Sequence, residues 1–229
     1  MTNKYDSKFS KEFIVPSVSR EFIARPALSR TLGDVRGKRI LELGCGSGYW
    51  LQRLAKKGAL CTGIDISKDQ IALARESDKT KKIRFVVADA KHAKNLESSF
   101  DIVLILNVVV ELMDKKDAHA LFSSAHRMLG KNGALFVLDM HPMAPDVHRS
   151  IRLPKGYHYF KSGIVVEVES RKMDGKAIHF HYSHYTLQDF SEFFSQNGFL
   201  IRRIVEPQAS ATVVRKLRRY RTGSSTPLT

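Results

Sequence analysis

Residues 40–50, with the sequence ILELGCGSGYW, decide the fold. The stretch opens with an apolar run that predicts a buried strand, and glycines then occupy alternate positions at Gly44, Gly46 and Gly48. An amphipathic helix pattern begins at Leu51. Glycine lacks the Cβ atom that would block a ligand, and the first turn of a helix has free N–H donors. The stretch therefore predicts a strand–turn–helix unit that binds a ligand through its backbone.

The next strand pattern carries an acidic residue at its end. Residues 59–64 are mainly apolar, and Asp65 follows them 17 residues beyond Gly48. An acid at this place in such a unit can accept hydrogen bonds from both ribose hydroxyls of a nucleoside. The dinucleotide fingerprint G-x-G-x-x-G would need a glycine at position 49, where this chain has Tyr49. The pattern therefore predicts a nucleoside ligand and does not require a diphosphate.

These motifs resemble those of the class I S-adenosylmethionine-dependent methyltransferases, whose first motif is an acidic residue followed by x-G-x-G-x-G. Glu42 and the glycines after it match that motif position by position, and Asp65 matches the family's ribose-binding acid. The resemblance covers residues 24–207 and implies S-adenosyl-L-methionine as the cofactor. The cofactor-binding residues that it implies are Glu42, Gly44, Cys45, Gly46, Gly48, Asp65, Ile66, Asp89, Ala90 and Asn107.

Two further strand ends belong to this implied pocket. Asp89 follows the third strand pattern, where the family uses a carboxylate and the next N–H, here that of Ala90, to recognise the adenine amino edge. The alternative for Asp89 is that it caps a helix. Residues 100–106 are almost continuously apolar, as expected for a central parallel strand, and Asn107 follows them. The resemblance places Asn107 below the methyl group that is transferred.

The order of the elements predicts an α/β fold. Strand and helix patterns alternate up to a fifth strand at residues 134–138, and Gly130 is expected to end the helix before it. This alternation predicts a doubly wound, mostly parallel sheet with helices on both faces and ligands beyond the carboxyl ends of its strands. Residues 199–205 predict a sixth strand. A seventh strand is expected to be missing, or to be replaced by residues 211–214.

A hairpin is predicted after the fifth strand. Residues 164–169 and 177–182 alternate with period two around Asp174-Gly175, and family members build substrate lids at this point. His179 and His181 share one strand face, with His184 nearby. Because no acidic or cysteine ligand accompanies them in register, we expect substrate-lining or surface histidines and no metal site.

The chain length fits a single domain. Its expected parts are N-terminal cap helices at 1–36, a cofactor-binding core at 37–140, a lid insertion at 141–186, and a C-terminal helix, strand and basic tail at 187–229. Two cysteines suggest reduced thiols, and no apolar run suggests a signal peptide or a membrane span. We therefore expect a cytoplasmic protein without a membrane partner.

The acceptor and the catalytic residues are less closely defined. His141 and Glu111 are the candidates for a general base, although Glu111 also fits the start of the helix that follows it. The aromatic lid favours a small-molecule acceptor of the methyl group, at nitrogen, oxygen or carbon. The net charge of +15 leaves two alternatives open: a methyltransferase acting on RNA or another macromolecule, or an inactive protein that binds the cofactor. The oligomeric state is left open.

Overall fold

The computed structural model describes residues 20–93, 99–143, 151–171 and 177–215. The helices are α1 (Arg25–Leu32), α2 (Tyr49–Lys56), α3 (Lys68–Ser77), α4 (Lys115–Met128) and α5 (Leu187–Ser195). The strands are β1 (Arg39–Leu43), β2 (Leu60–Asp65), β3 (Arg84–Val87), β4 (Phe100–Leu106), β5 (Leu129–Leu138), β6 (Ile151–Arg152), β7 (Val165–Arg171) and β8 (Ala177–Ser183). A π-helical turn, Arg20–Ala24, precedes α1, and a 3-10 turn, Val109–Glu111, precedes α4.

The main sheet is parallel and has the order β3-β2-β1-β4-β5. Its two central strands, β1 and β4, are almost entirely buried, which explains their nearly continuous apolar sequences. The strand order reverses between β1 and β4, and ligands of doubly wound sheets bind at such a switch point. The predicted doubly wound sheet is thus confirmed.

Helices cover both faces of this sheet because side chains of a strand alternate between the faces. On one face, Ile40 and Leu104 share a core with side chains of α1, α2 and α3, including Leu51. On the other face, Leu41 and Val103 pack with side chains of α4 and α5. Phe122 and Phe193 join those two helices through stacked rings whose centroids are 5.8 Å apart.

Two predictions about helix ends are wrong. Helix α4 ends at Met128 and β5 begins at once with Leu129, so Gly130 lies within the strand instead of capping the helix. The helix stops there because Leu129 already pairs with Phe100 of β4. Glu111 does not begin α4 either, because the cap is Asp114, whose side chain accepts a hydrogen bond from the N–H of Lys116.

A second sheet, β6-β7-β8, is antiparallel and corresponds to the predicted lid. Strands β7 and β8 confirm the hairpin, and its tip at residues 172–176 lies outside the described residues. Val166, Val168 and Tyr182 form the inner face of this sheet and pack on Val110, beside the end of β4. His179 lies on the outer, exposed face, as its position in the strand predicts.

The predicted sixth strand is wrong. Residues 199–205 form no strand, and Leu200 is 96% exposed. A strand needs a neighbour to pair with its backbone, and within the described residues the main sheet ends at β5 with no strand beyond it. Residues 211–215 are helical, so they do not supply a substitute strand. The expected cap helices before residue 20 and the basic tail after residue 215 lie outside the described residues.

Candidate functional site

The glycine turn lies at the carboxyl end of β1, beside the end of β4. Gly44 has a φ of +76°, and Gly48, which precedes α2, has a φ of +71°. The N–H groups of Gly44 and Cys45 both donate to the carbonyl of Ile64 at 2.8 Å. A Cβ atom on Gly44 would lie 2.6 Å from Val108 Cγ2. Only glycine therefore fits this approach between the turn and the loop after β4.

Asp65 joins the end of β2 to the glycine turn. Its Oδ2 accepts a hydrogen bond from the Gly46 N–H at 2.8 Å, and its Oδ1 accepts from Ser67 N–H at 2.9 Å. Burial raises the pKa of Asp65, and these hydrogen bonds oppose that rise. A carboxylate offers about four acceptor positions, so both oxygens can accept a further bond from a ligand hydroxyl. The next residue, Ile66, exposes its apolar side chain to solvent.

Glu42 carries a buried carboxyl group near the same turn. The residue is 4% exposed, and its Oε2 has no hydrogen-bond partner among the described residues. Burial raises the pKa of Glu42 well above its usual range, and the neighbouring charge of Asp65 adds to the effect. A buried polar atom without a partner costs about 1–3 kcal/mol. Such an atom indicates a site where a ligand donates a hydrogen bond.

Asp89 begins a turn directly after β3. Its Oδ1 accepts from the N–H of Lys91 at 2.9 Å, and its Oδ2 lies 3.3 Å from Nδ1 of His92. The carboxylate thus caps a turn, and residues 89–93 contain no helix of the kind that the alternative interpretation predicted. Each carboxylate oxygen retains acceptor capacity. The N–H of Ala88 donates to the carbonyl of Asp65 at 3.0 Å, which brings the ends of β2 and β3 together. Ala90 is partly buried beside Asp89.

Asn107 occupies the end of β4 in an uncommon backbone conformation. Its φ is +56°, which is strained for a residue other than glycine, and its N–H donates to the carbonyl of Leu138 at 2.7 Å. The residue is exposed at the carboxyl edge of the sheet. Backbone strain of this kind often marks a functional site.

The two candidates for a general base have different surroundings. Nε2 of His141 lies 2.7 Å from Oε1 of Glu206, and its Nδ1 accepts from the N–H of Met143 at 3.1 Å. The tautomer with the proton on Nε2 satisfies both contacts, so each ring nitrogen is already engaged. Glu111 ends the 3-10 turn on which the second sheet packs.

Asp139 takes part in this region although its sequence position alone did not suggest a function. Its Oδ2 accepts from the N–H of Val109 at 3.0 Å and, more weakly, from Val110 at 3.4 Å. Burial raises the pKa of Asp139 to about 7, with a smaller contribution from the charge of Glu111. The carboxylate therefore holds the turn that carries Glu111 against the end of β5. The one signal in the sequence was an acid directly after a strand.

A polar cluster links the N-terminal helical segment to α2, a contact that the sequence did not predict. The guanidinium of Arg25 stacks on the ring of Tyr49 at 3.5 Å and pairs with Glu21. The hydroxyl of Tyr49 lies 3.3 Å from Glu21 Oε2 and accepts from Arg53 at 2.8 Å. Tyr49 directly follows the glycine turn, so this cluster fixes α1 beside the site.

Neither a metal site nor a membrane-spanning helix is found among the described residues. Among residues 20–93, 99–143, 151–171 and 177–215, no group of three or more histidine, cysteine, aspartate or glutamate residues could hold a metal ion. The two cysteines, Cys45 and Cys61, are buried free thiols. Within the described part of the chain, no helix has the length and apolar character that crossing a bilayer requires.

The fold is that of the class I methyltransferases. A crystal structure of an S-adenosylmethionine dependent methyltransferase from Mesorhizobium loti matches with a TM-score of 0.65 and 23% identity, over 88% of this chain and 92% of that chain. The magnesium protoporphyrin IX methyltransferase of Synechocystis PCC 6803 with bound SAH gives a TM-score of 0.53 and 19% identity, over 82% and 76% of the two chains. At these identities the similarity establishes the fold.

Sequence similarity to methyltransferases covers part of the chain. Residues 40–133 match a family model described as a methyltransferase domain. A Geobacillus sp. (strain WCH70) protein with a provisional methyltransferase name is 34% identical over 112 residues, which are 48% of this chain and 44% of that protein. The ubiquinone biosynthesis O-methyltransferase of Glaesserella parasuis is 27% identical over 143 residues, 56% of this chain and 59% of that protein. The chain thus spans about half the length of these relatives.

Proposed function

We propose that the protein transfers a methyl group from S-adenosyl-L-methionine to a small-molecule acceptor. The observation that carries the proposal is the direct hydrogen bond between Asp65 and the N–H of Gly46. It joins the acid that would bind the ribose to the glycine turn, so the two main elements of a nucleoside site form one unit. The match of residues 40–133 to the methyltransferase domain supports the same conclusion.

The residues present fit this cofactor. Asp65 would accept hydrogen bonds from the ribose hydroxyls, Ile66 would pack on the base, and Asp89 with the N–H of Ala90 would bind the adenine edge. Glu42 provides a buried acceptor that has no partner among the described residues, which suits the ammonium group at the amino-acid end. When bound, the cofactor would supply a methyl group that is already activated by a positively charged sulfur.

The chain's own contribution to the reaction is mainly placement. The positive φ at Asn107 and the close approach of Gly44 to Val108 fix the loop after β4, which would lie below the place of transfer. Val110 anchors that loop in the core of the second sheet, and this sheet would cover the acceptor and exclude water. Holding two reactants in line accounts for much of the rate gain in such transfers.

An oxygen acceptor is the first class to test. The ubiquinone biosynthesis relatives are named as O-methyltransferases, and a hydroxyl acceptor benefits from a base that removes its proton. We take Glu111 as the candidate base, because it lies on the turn on which the second sheet packs. Both ring nitrogens of His141 make hydrogen bonds, to Glu206 and to the N–H of Met143.

The experiment is a transfer assay with the methyl group of S-adenosyl-L-methionine labelled. The purified protein is incubated with a panel of phenols, catechols and amines, and label in the extracted products is counted. We expect transfer to a hydroxyl acceptor, with kcat about 100-fold lower in Glu111→Gln because a general base typically contributes that much. Glu76→Gln, at an exposed acid on α3, serves as the control. Label incorporated only into added RNA would contradict the proposal. Binding of S-adenosylhomocysteine without transfer of label to any acceptor would contradict it as well.

A further inference from the structure

Three large apolar side chains protrude where the second sheet meets α4 and α5. Phe160 is 83% exposed, Met113 is 68% exposed and Leu187 is 50% exposed. Isolated apolar residues are common on protein surfaces, whereas neighbouring ones mark interaction sites. We call these three residues the apolar corner.

Contacts around Tyr159 and Gly163 join the segments that carry the apolar corner. The rings of Tyr159 and Phe160 meet edge to face with centroids 5.2 Å apart, and the Tyr159 hydroxyl accepts from the N–H of Leu187 at 3.0 Å. On the other side, a Cβ atom on Gly163 would lie 3.7 Å from the carbonyl oxygen of Met113. The three side chains therefore come from segments that touch one another.

The exposure of the apolar corner is held by buried polar contacts. Asp189 is buried and accepts from the hydroxyl of Ser162 and from the N–H of Thr186, and it pairs with Lys115. The hydroxyl of Tyr185 donates to the carbonyl of Leu112 at 2.6 Å, directly before Met113. These bonds fix the backbone of the segments that carry Phe160, Met113 and Leu187. The three apolar side chains are therefore exposed on an ordered part of the surface.

Positive charge surrounds the apolar corner. The exposed basic residues on the same segments are Lys116, Lys155, His158 and Lys161, and Lys115 is paired with Asp189. Asp114 is the exposed acid among them, since Asp189 is buried and paired. The net charge of +15 for the whole chain has the same sign. Electrostatic attraction therefore favours an anionic partner over an uncharged or cationic one.

We propose that the apolar corner docks on the surface of a membrane that contains anionic lipids. Phe160, Met113 and Leu187 enter the boundary between headgroups and acyl chains, and the lysines contact the headgroups. This proposal departs from the expectation from the sequence that the protein has no membrane partner. Met113 lies two residues beyond Glu111, so docking brings the acceptor side close to the bilayer. That last step rests on the proposed function and favours an acceptor with an apolar tail.

The test is sedimentation of the full chain with lipid vesicles, which needs no turnover. We expect binding to vesicles of phosphatidylglycerol and phosphatidylcholine, and much weaker binding to phosphatidylcholine alone. Phe160→Ser combined with Met113→Ser should weaken binding about tenfold or more, since both apolar side chains then stay in water. Leu200→Ser combined with Ile204→Ser is the matched control, because these apolar side chains are 96% and 70% exposed but lie outside the apolar corner.

A second pair of variants tests the charges. Lys155→Gln with Lys161→Gln should weaken binding and its salt dependence, whereas Lys56→Gln with Lys57→Gln on α2 should not. Circular dichroism of each variant checks that the fold is kept. Absence of binding to the anionic vesicles, or equal losses in the test and control variants, would overturn the proposal. If the wild-type protein binds no vesicles but forms a dimer that Phe160→Ser disrupts, the proposal is overturned and the apolar corner is a protein interface.

Discussion

The substitution Asp139→Asn tests how the end of β5 is coupled to the turn that carries Glu111. The carboxylate of Asp139 accepts the N–H groups of Val109 at 3.0 Å and of Met140 at 2.8 Å. These bonds favour the ionised form, yet burial outweighs them and raises the pKa of Asp139 to about 7. The folded protein therefore keeps this proton to a higher pH than the unfolded chain does.

The sign and size of the effect follow from this difference. Because the unfolded chain loses the proton near pH 4, the contribution of Asp139 to stability is complete in acid and is lost as the pH rises towards 7. Each unit of pKa corresponds to about 1.4 kcal/mol. Since the residue keeps some exposure to solvent, we expect roughly 1–3 kcal/mol of this loss between pH 5 and pH 8.

Urea unfolding of wild type and Asp139→Asn at several pH values measures the effect. The neutral amide has no proton to lose, so wild-type stability should fall relative to the variant as the pH rises. Glu76→Gln, at an exposed acid on α3, gives the control series. A stability difference between wild type and Asp139→Asn that stays constant from pH 5 to pH 8 would refute the reasoning.

Two further predictions concern the cofactor side. Gly48→Ala should cost about 2–4 kcal/mol in unfolding free energy, because its Cβ would lie 2.7 Å from the ring of Phe85 and its φ is +71°. Gly37→Ala has the same φ but nothing within 4 Å, so it should cost only about 1 kcal/mol, and equal losses would argue against a close contact at Gly48. Binding of S-adenosylhomocysteine should release a proton from Glu42, since a cationic ligand favours the ionised carboxylate. Calorimetry in buffers of different ionisation enthalpy should detect this release in wild type and not in Glu42→Gln; release that persists in the variant would assign it to another group.

The sequence predicted the parallel sheet and the glycine turn well because their signals are local. Residues 100–106 are apolar at every position but one, which requires a strand buried on both faces, and the glycine turn can adopt its positive φ values only with glycine. The spacing between Gly48 and Asp65 then follows from the lengths of α2 and β2, which lie between them.

The parts that the sequence did not predict depend on tertiary partners. Residues 199–205 have strand-forming composition, but the structure places no strand beside them among the described residues, so they form no strand and are exposed from Leu200 onwards. The role of Asp139 depends on the N–H groups of Val109 and Val110, about 30 residues away in the chain. The apolar corner likewise combines three separate segments, and no single one carries a periodic pattern.

The central claim is that the carboxyl edge of β1 and β2 binds S-adenosyl-L-methionine through the glycine turn and Asp65. Calorimetric titration with S-adenosylhomocysteine is the most direct test, using wild type, Asp65→Ala and the exposed-acid control Glu76→Ala. The account predicts stoichiometric binding by wild type and by the control, with affinity at least about tenfold lower in Asp65→Ala, because two hydrogen bonds to the ribose are lost. Absence of binding by a folded wild-type protein, or equal affinity of wild type and Asp65→Ala, would contradict it.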